Sequence, residues 1–339
     1  MLVKIYRRKP PENSPQFAVV AHDSAWGDER GGERHATWSL VAEADLDRPA
    51  KDLPFNADEA KAAILNGGLY TYIHQTLPTP VAVKEAEAIH AFMLTVTLPL
   101  LKEAGEGMAV LGTGTLFRQD DRYFVVTADH VLRANAKDPT STFIDLTEVA
   151  FPTRPKDASL FTLGKYTLWH SKPVHADVVV LELHSQETIS KLKAGWGFLP
   201  FSQAGRFEDH DRFIISGFLE ETAYLTGGVL RQSMINLTTD LLHFTPEVKD
   251  PTPSDRFLYL ERDGVQFDGS EREIGSLCGV SGGPIWGFSM PAAGFWDPSR
   301  ALQVVAVQSA EMERRWSRVM DWSAVRTILQ RIDPPVTGV

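Results

Sequence analysis

Near its C-terminal end the chain carries Cys278-Gly279-Val280-Ser281-Gly282-Gly283-Pro284. A serine hydroxyl at its ordinary pKa is a weak nucleophile, so chemistry here requires a base and a tight turn. Small neighbours let a substrate carbonyl approach and let backbone N–H groups stabilise the oxyanion formed on attack. His130 ends the run Tyr123-Phe124-Val125-Val126-Thr127-Ala128-Asp129-His130, where an apolar strand breaks into polar residues. An imidazole at such a strand end is a candidate general base. Asp177 opens Asp177-Val178-Val179-Val180-Leu181-Glu182-Leu183, a carboxylate at the mouth of a strongly apolar strand. A carboxylate there is either a turn residue or an acid held partly buried to orient an imidazole. The chain order is histidine, aspartate, serine, with gaps of 47 and 104 residues.

Other chemistries fit less well. Gly279-Val280-Ser281-Gly282-Gly283 also satisfies the Gly-x-Ser-x-Gly elbow of α/β-hydrolases, but that arrangement needs a histidine after the serine. No histidine follows His243, so this reading fails. Gly112-Thr113-Gly114 lies between predicted strands without a third glycine or a following helix, which argues against a nucleotide loop. His170 and His175 are five residues apart with no further ligand set evident, so no metal and no cofactor is expected.

The elements that must position these residues are mainly strands. From Met108 onward, short apolar runs alternate with Gly, Pro and Asp: Ala109–Leu111, Gly114–Arg118, Tyr123–Ala128, Thr142–Leu146, Val178–Leu183, Arg212–Ser216, Gly228–Asn236, Phe257–Leu260, Ile285–Phe288 and Leu302–Val307. Such spacing predicts an all-β barrel or sandwich. Asp120-Asp121 reads as a hairpin turn, and residues 322–332 as an amphipathic helix. Before Met108 the pattern is mixed, with short strands at 17–21 and 37–42, a helix at 56–68 and another at about 80–94.

Composition bounds the function. The 339 residues suffice for one large domain or two moderate ones. A net charge of −10 argues against nucleic acid as a partner. The single cysteine, Cys278, excludes an internal disulfide and fits a reducing compartment. No run of 18 apolar residues and no signal-peptide pattern occurs, so a soluble cytoplasmic protein without membrane contact is expected.

The three motifs resemble those of the trypsin/chymotrypsin-like serine protease family, in a bacterial-type, disulfide-free form. Thr127-Ala128-Asp129-His130 is similar to the family's Thr-Ala-Ala-His, and Asp177-Val178-Val179-Val180-Leu181 to its Asp-Ile-Ala-Leu-Leu. Gly279-Val280-Ser281-Gly282-Gly283-Pro284 is similar to Gly-Asp-Ser-Gly-Gly-Pro. The resemblance spans about residues 100 to 320. It implies a mainly β fold of two antiparallel Greek-key β-barrels, about 100–200 and 205–318, within a protease domain of 96–339. A helix at about 321–332 is expected to pack on the second barrel; residues 1–95 lie outside the resemblance and are expected to form an α+β extension, unassigned in role between regulation and partner docking.

The resemblance also implies roles. Ser281 is the nucleophile, His130 the base and Asp177 its orienting acid, and Gly279 and Ser281 supply the oxyanion N–H groups. Gly275, Cys278, Gln308 and Ser309 are the expected substrate-binding residues, and the substrate is a protein or peptide. Three departures matter. Val280 replaces the aspartate that secreted trypsins pair with a freshly cut N-terminus. Gly275 stands where trypsin reads Lys or Arg, and Asp129 adds a charge beside the base. Glu311 and Glu313 are either solvated acids or contributors to a preference for basic side chains. The alternative to an endopeptidase is a catalytically silent, protease-like binding or scaffold module.

Overall fold

Val179-Val180-Leu181-Glu182-Leu183 is an apolar run interrupted by one acid, and in the computed structural model all five residues are buried in a central strand. Glu182 is tolerated there because Arg122 pairs with its Oε1, with Nε at 2.9 Å, and the Trp169 indole N–H donates to Oε2 at 3.1 Å. The structure describes residues 1–8, 16–21, 38–47, 57–67, 69–73, 83–104, 107–155, 157, 159–171, 176–210, 212–222, 224–226, 229–231, 233–242, 245–248, 250–260, 263–265, 271–273, 276–288, 297–312 and 316–332.

The chain divides into two units, Met1–Val81 with His243–Pro246, and Ala82–Leu242 with Glu247–Val339. The first contains β1 (Leu2–Arg8), β2 (Gln16–Ala21), β3 (Trp38–Asp45) and β4 (Leu69–Ile73), an antiparallel sheet in the order β3-β1-β2-β4. The helix Ala57–Gly67 packs on it, burying Ala60 and Ile64 four residues apart on one face.

The second unit opens with the helix Val83–Val96, which buries Ala86, Ile89, Met93 and Val96 at helical spacing. Its first sheet comprises β5 (Thr97–Ala104), β6 (Gly107–Gln119), β7 (Arg122–Thr127), β8 (Val149–Pro152), β9 (Leu160–Thr162), β10 (Tyr166–His170), β11 (Val179–Leu183) and the two-residue β12 (Leu199–Pro200). The order is β10-β11-β7-β6-β5-β8-β9, with β12 beside β6. Within it, β8-β5-β6-β7 is a Greek key. Leu98, Leu100, Leu116, Val125, Val179 and Leu181 are among its core.

The second sheet is built from β13 (Arg212–Phe218), β16 (Met234–Asp240), β17 (Asp255–Tyr259), β20 (Pro284–Phe288), β21 (Leu302–Met312) and β22 (Trp316–Asp321). The intervening pairs β14 (Tyr224–Thr226) with β15 (Val229–Arg231), and β18 (Asp263–Val265) with β19 (Glu271–Glu273), form separate hairpins. The order is β16-β13-β20-β21-β22-β17, and a bridge between Leu241 and Leu258 joins its two outer strands. That bridge helps curl the sheet on itself and leaves less open edge. The fold is therefore mainly β, with two antiparallel half-barrel sheets and few helices, as the strand spacing predicts.

Several boundaries differ from the sequence reading, each for a physical reason. The predicted strands Ala109–Leu111 and Gly114–Arg118 are one strand, β6. Gly112 between them serves close approach rather than a turn: a Cβ there would lie 2.7 Å from Val131 and 2.8 Å from the Ser281 carbonyl. Residues 142–146 are not a strand. Asp145 accepts from the Thr147 N–H at 2.9 Å and caps a 3₁₀ turn, Leu146–Glu148. The unanticipated helix Gln186–Gly195 starts at Ser185, whose hydroxyl accepts from the Thr188 N–H. The C-terminal helix Trp322–Ile332 does not rest on the second sheet alone. Its Trp322 ring lies 4.7 Å from that of Phe117 on β6, so it spans both sheets. No helix among the described residues is long and apolar enough to cross a membrane.

Candidate active site

β7 ends at Thr127 and turns into the 3₁₀ segment Asp129–Leu132, which carries His130 off the sheet. Asp177 sits in a tight turn closed by the Val178 N–H donating to Ala176 O at 2.8 Å. Ser171 pins that turn, its hydroxyl donating to Ala176 O and accepting from the Ala176 N–H. The two residues meet in a bidentate contact. His130 Nδ1 lies 2.7 Å from Asp177 Oδ2, and the His130 backbone N–H donates to Oδ1 at 2.9 Å. With the carboxylate on Nδ1, the ring proton belongs there and Nε2 is the basic nitrogen.

Charge and burial act oppositely on this pair. Burial pushes the Asp177 carboxyl up, but the His130 charge and hydrogen bonds from His130 and Ser309 bring it below the ordinary carboxylate value. Burial pushes the His130 imidazole down, while Asp177 and the nearby Asp129 charge outweigh it and raise the imidazole above 6.5. A base must be neutral to accept a proton. If His130 is that base, kcat/KM for an ester or peptide rises with pH, with a midpoint above 6.5. A pH–rate profile with its midpoint below that of an ordinary imidazole would argue against His130 as the base.

The Ser281 turn is fixed by a full set of backbone bonds. The carbonyls of Leu277, Cys278, Gly279, Val280 and Ser281 accept from Val280 N, Glu220 N, Thr113 Oγ1, Gly283 N and Thr113 N respectively, all at 2.7–2.9 Å. Gln308 on β21 completes it, its carbonyl accepting from Gly282 N and its N–H donating to Gly283 O, both at 2.8 Å. Among the described residues, only the N–H groups of Gly279 and Ser281 in the run 277–283 have no partner. Buried polar backbone is normally paired, so two unpaired N–H groups two residues apart are a ready anion site. Gly279 (φ 90) and Gly282 (φ 86) both adopt the left-handed conformation this turn demands.

Ser281 is half-buried, and no hydrogen bond joins its hydroxyl to His130 among the described residues. The turn is nonetheless seated against the histidine's strand end: a Cβ on Gly282 would lie 2.1 Å from Thr127 Oγ1 and 2.8 Å from Ala128 N. His130 and Asp177 are bonded, and the segment bearing Ser281 packs beside them.

The remaining sequence-predicted residues fall in varied places. Ser309, expected at the substrate-binding strand, turns its hydroxyl to Asp177 Oδ2 at 2.5 Å, so it braces the acid from the second sheet. Gln308 is buried and holds the turn through its backbone, while its Oε1 has no partner among the described residues. Cys278 is exposed, and Ser276 Oγ lies 3.1 Å from its Sγ. Gly275, His175 and Glu313 lie outside the described residues. Asp129 is buried and paired with Arg133, with Nε at 2.6 Å and Nη2 at 3.0 Å, while the guanidinium stacks 3.8 Å over Phe143. Glu311 is half-buried and bound to the loop before Ser281, accepting from Leu277 N at 2.7 Å. Sequence reasoning missed Thr113 and the bracing role of Ser309. The only signal for either was a short hydroxyl side chain on a strand adjoining a motif.

No protein-family model and no curated protein matches the chain. Among solved structures it is similar to the active form of the Rv3671c protease from M. tuberculosis, with 15% identity over 75% of this chain and 88% of that one, at a TM-score of 0.40. It is also similar to a structure concerned with the coupled folding and binding of the intrinsically disordered VPg protein of Sesbania mosaic virus. There the identity is 13% over 70% of this chain and 92% of that one, at a TM-score of 0.39.

Proposed function

We propose that this chain is a serine-type endopeptidase. The observation that carries the reading is the bidentate Asp177–His130 contact beside a turn that presents Ser281 and two unpartnered N–H groups. In this reading Ser281 Oγ attacks the carbonyl carbon of a peptide bond and gives its proton to His130 Nε2. The carbonyl π electrons move to oxygen, and the oxyanion is stabilised by the N–H groups of Gly279 and Ser281. The intermediate collapses as the C–N bond breaks, the amine takes the proton from His130, and an acyl-enzyme remains. Water then repeats the sequence and releases the acid. Asp177 holds the imidazole tautomer and balances the charge it acquires, and Ser309 steadies Asp177.

The test is labelling by a serine-directed fluorophosphonate of the wild-type chain, Ser281→Ala and His130→Ala. The expected result is labelling of the wild type alone. Equal labelling of Ser281→Ala would remove the serine from the mechanism. No labelling of the wild type would favour the silent binding or scaffold module.

A further inference from the structure

Two of the bonds that fix the Ser281 turn come from one residue of the first sheet, and we propose that Thr113 is a positioning residue for the oxyanion N–H groups. The proposal rests on the reading of Ser281 as nucleophile given above. Thr113 is fully buried on β6, and all of its polar atoms are engaged at the join between the sheets. Its N–H donates to Ser281 O at 2.8 Å. Its hydroxyl donates to Gly279 O at 2.7 Å and accepts from the Phe218 N–H at 3.0 Å. Its carbonyl accepts from Thr127 Oγ1 at 2.7 Å, three residues before His130.

The bond to Gly279 O is the consequential one. Gly279 must be glycine, because a Cβ would lie 2.5 Å from Phe218 O and because its φ is 90. The same lack of a side chain leaves its backbone free to rotate unless something holds it. Its carbonyl belongs to the peptide that lies between the two unpartnered N–H groups. Pairing that carbonyl with a hydroxyl of the opposite sheet stops the peptide from turning and keeps both N–H groups where an oxyanion forms. Val280, between the two N–H groups, is buried and apolar, so its side chain makes no polar hold on this turn. The hold comes from Thr113 instead, so the turn is set as soon as the two sheets meet.

Removing the hydroxyl while keeping the shape isolates this role. Thr113→Val leaves the Gly279 carbonyl and the Phe218 N–H buried without their partner, and a buried unpaired group moves towards any available one. Thr113→Ser keeps the hydroxyl and loses only a methyl group. The experiment measures the second-order rate of fluorophosphonate labelling, and kcat and KM for p-nitrophenyl acetate, with thermal unfolding of each variant alongside. The expected result is a fall of about 10- to 100-fold in labelling rate and kcat for Thr113→Val, less than for outright loss of an oxyanion donor, with KM nearly unchanged. Thr113→Ser restores the rate. Thr113→Val labelling as fast as wild type, or Thr113→Ser falling with it, overturns the positioning role and leaves the reading of Ser281 intact. An unlabelled wild type overturns that reading and the proposal with it. If Thr113→Val does not fold, Thr113→Cys, with its weak thiol donor, carries the same expectation against Thr113→Ser.

Discussion

Asp177→Asn is expected to lower the rate of acylation by about 10⁴-fold without unfolding the protein. Asp177 receives three hydrogen bonds, from the His130 ring, the His130 backbone and the Ser309 hydroxyl. An asparagine can keep its oxygen on the His130 N–H, but its NH₂ group then faces Nδ1. Nδ1 becomes an acceptor, the ring proton moves to Nε2, and the imidazole has no lone pair left for the serine proton. Ser309 can rotate to accept from the amide, so local packing survives. The carboxylate that raises the imidazole pKa is also gone. The pH midpoint of the residual activity should therefore fall as the rate does. Labelling kinetics across a pH series read both effects, and a loss smaller than tenfold would separate Asp177 from the chemistry.

Gly282→Ala should be about as damaging by a different route. Gly282 has φ 86, and a Cβ there would lie 2.1 Å from Thr127 Oγ1 and 2.2 Å from Thr113 O. Both atoms are buried and already bonded to each other. Backbone strain and overpacking together should destabilise the fold by about 3–5 kcal/mol. Any relief by swinging the turn outward breaks the 2.8 Å bond from Gly282 N to Gln308 O and displaces Ser281. Urea unfolding measures the stability, and labelling measures the turn. A variant that keeps both would mean that the turn tolerates a side chain, contrary to its packing.

The parts of the site legible in the sequence are those whose residue types conflict with their surroundings. Asp177 before four apolar residues, His130 after a buried strand and a serine among glycines each break a local pattern, and chain order joins them. Ser309 and Thr113 break none. A serine or threonine on a strand is ordinary, and each reaches the site through a partner more than 100 residues away. Pairing across sheets is what a one-dimensional pattern carries least well. The same limit governed the fold. Strands with mostly apolar runs of five or six residues, such as β7 and β11, are legible, while β8 to β10 are only three to five residues long. The helix Gln186–Gly195 opens on a polar Gln-Glu-Thr run with no apolar periodicity to mark it, although Ser185 supplies a regular cap. Asp129, which in the sequence looked like a second charge beside the base, is answered by Arg133 four residues on.

The site is sewn across the two sheets by Thr113 to Gly279 and Ser281, and by Ser309 to Asp177. During synthesis His130 and Asp177 leave the ribosome well before Ser281 and Ser309, when neither the turn nor its brace yet exists. A chain made only through the first sheet therefore carries the His130–Asp177 pair without the turn that bears Ser281. Ser281 arrives after both and Ser309 after it, so the bonds across the sheets close only when the chain is complete through β21.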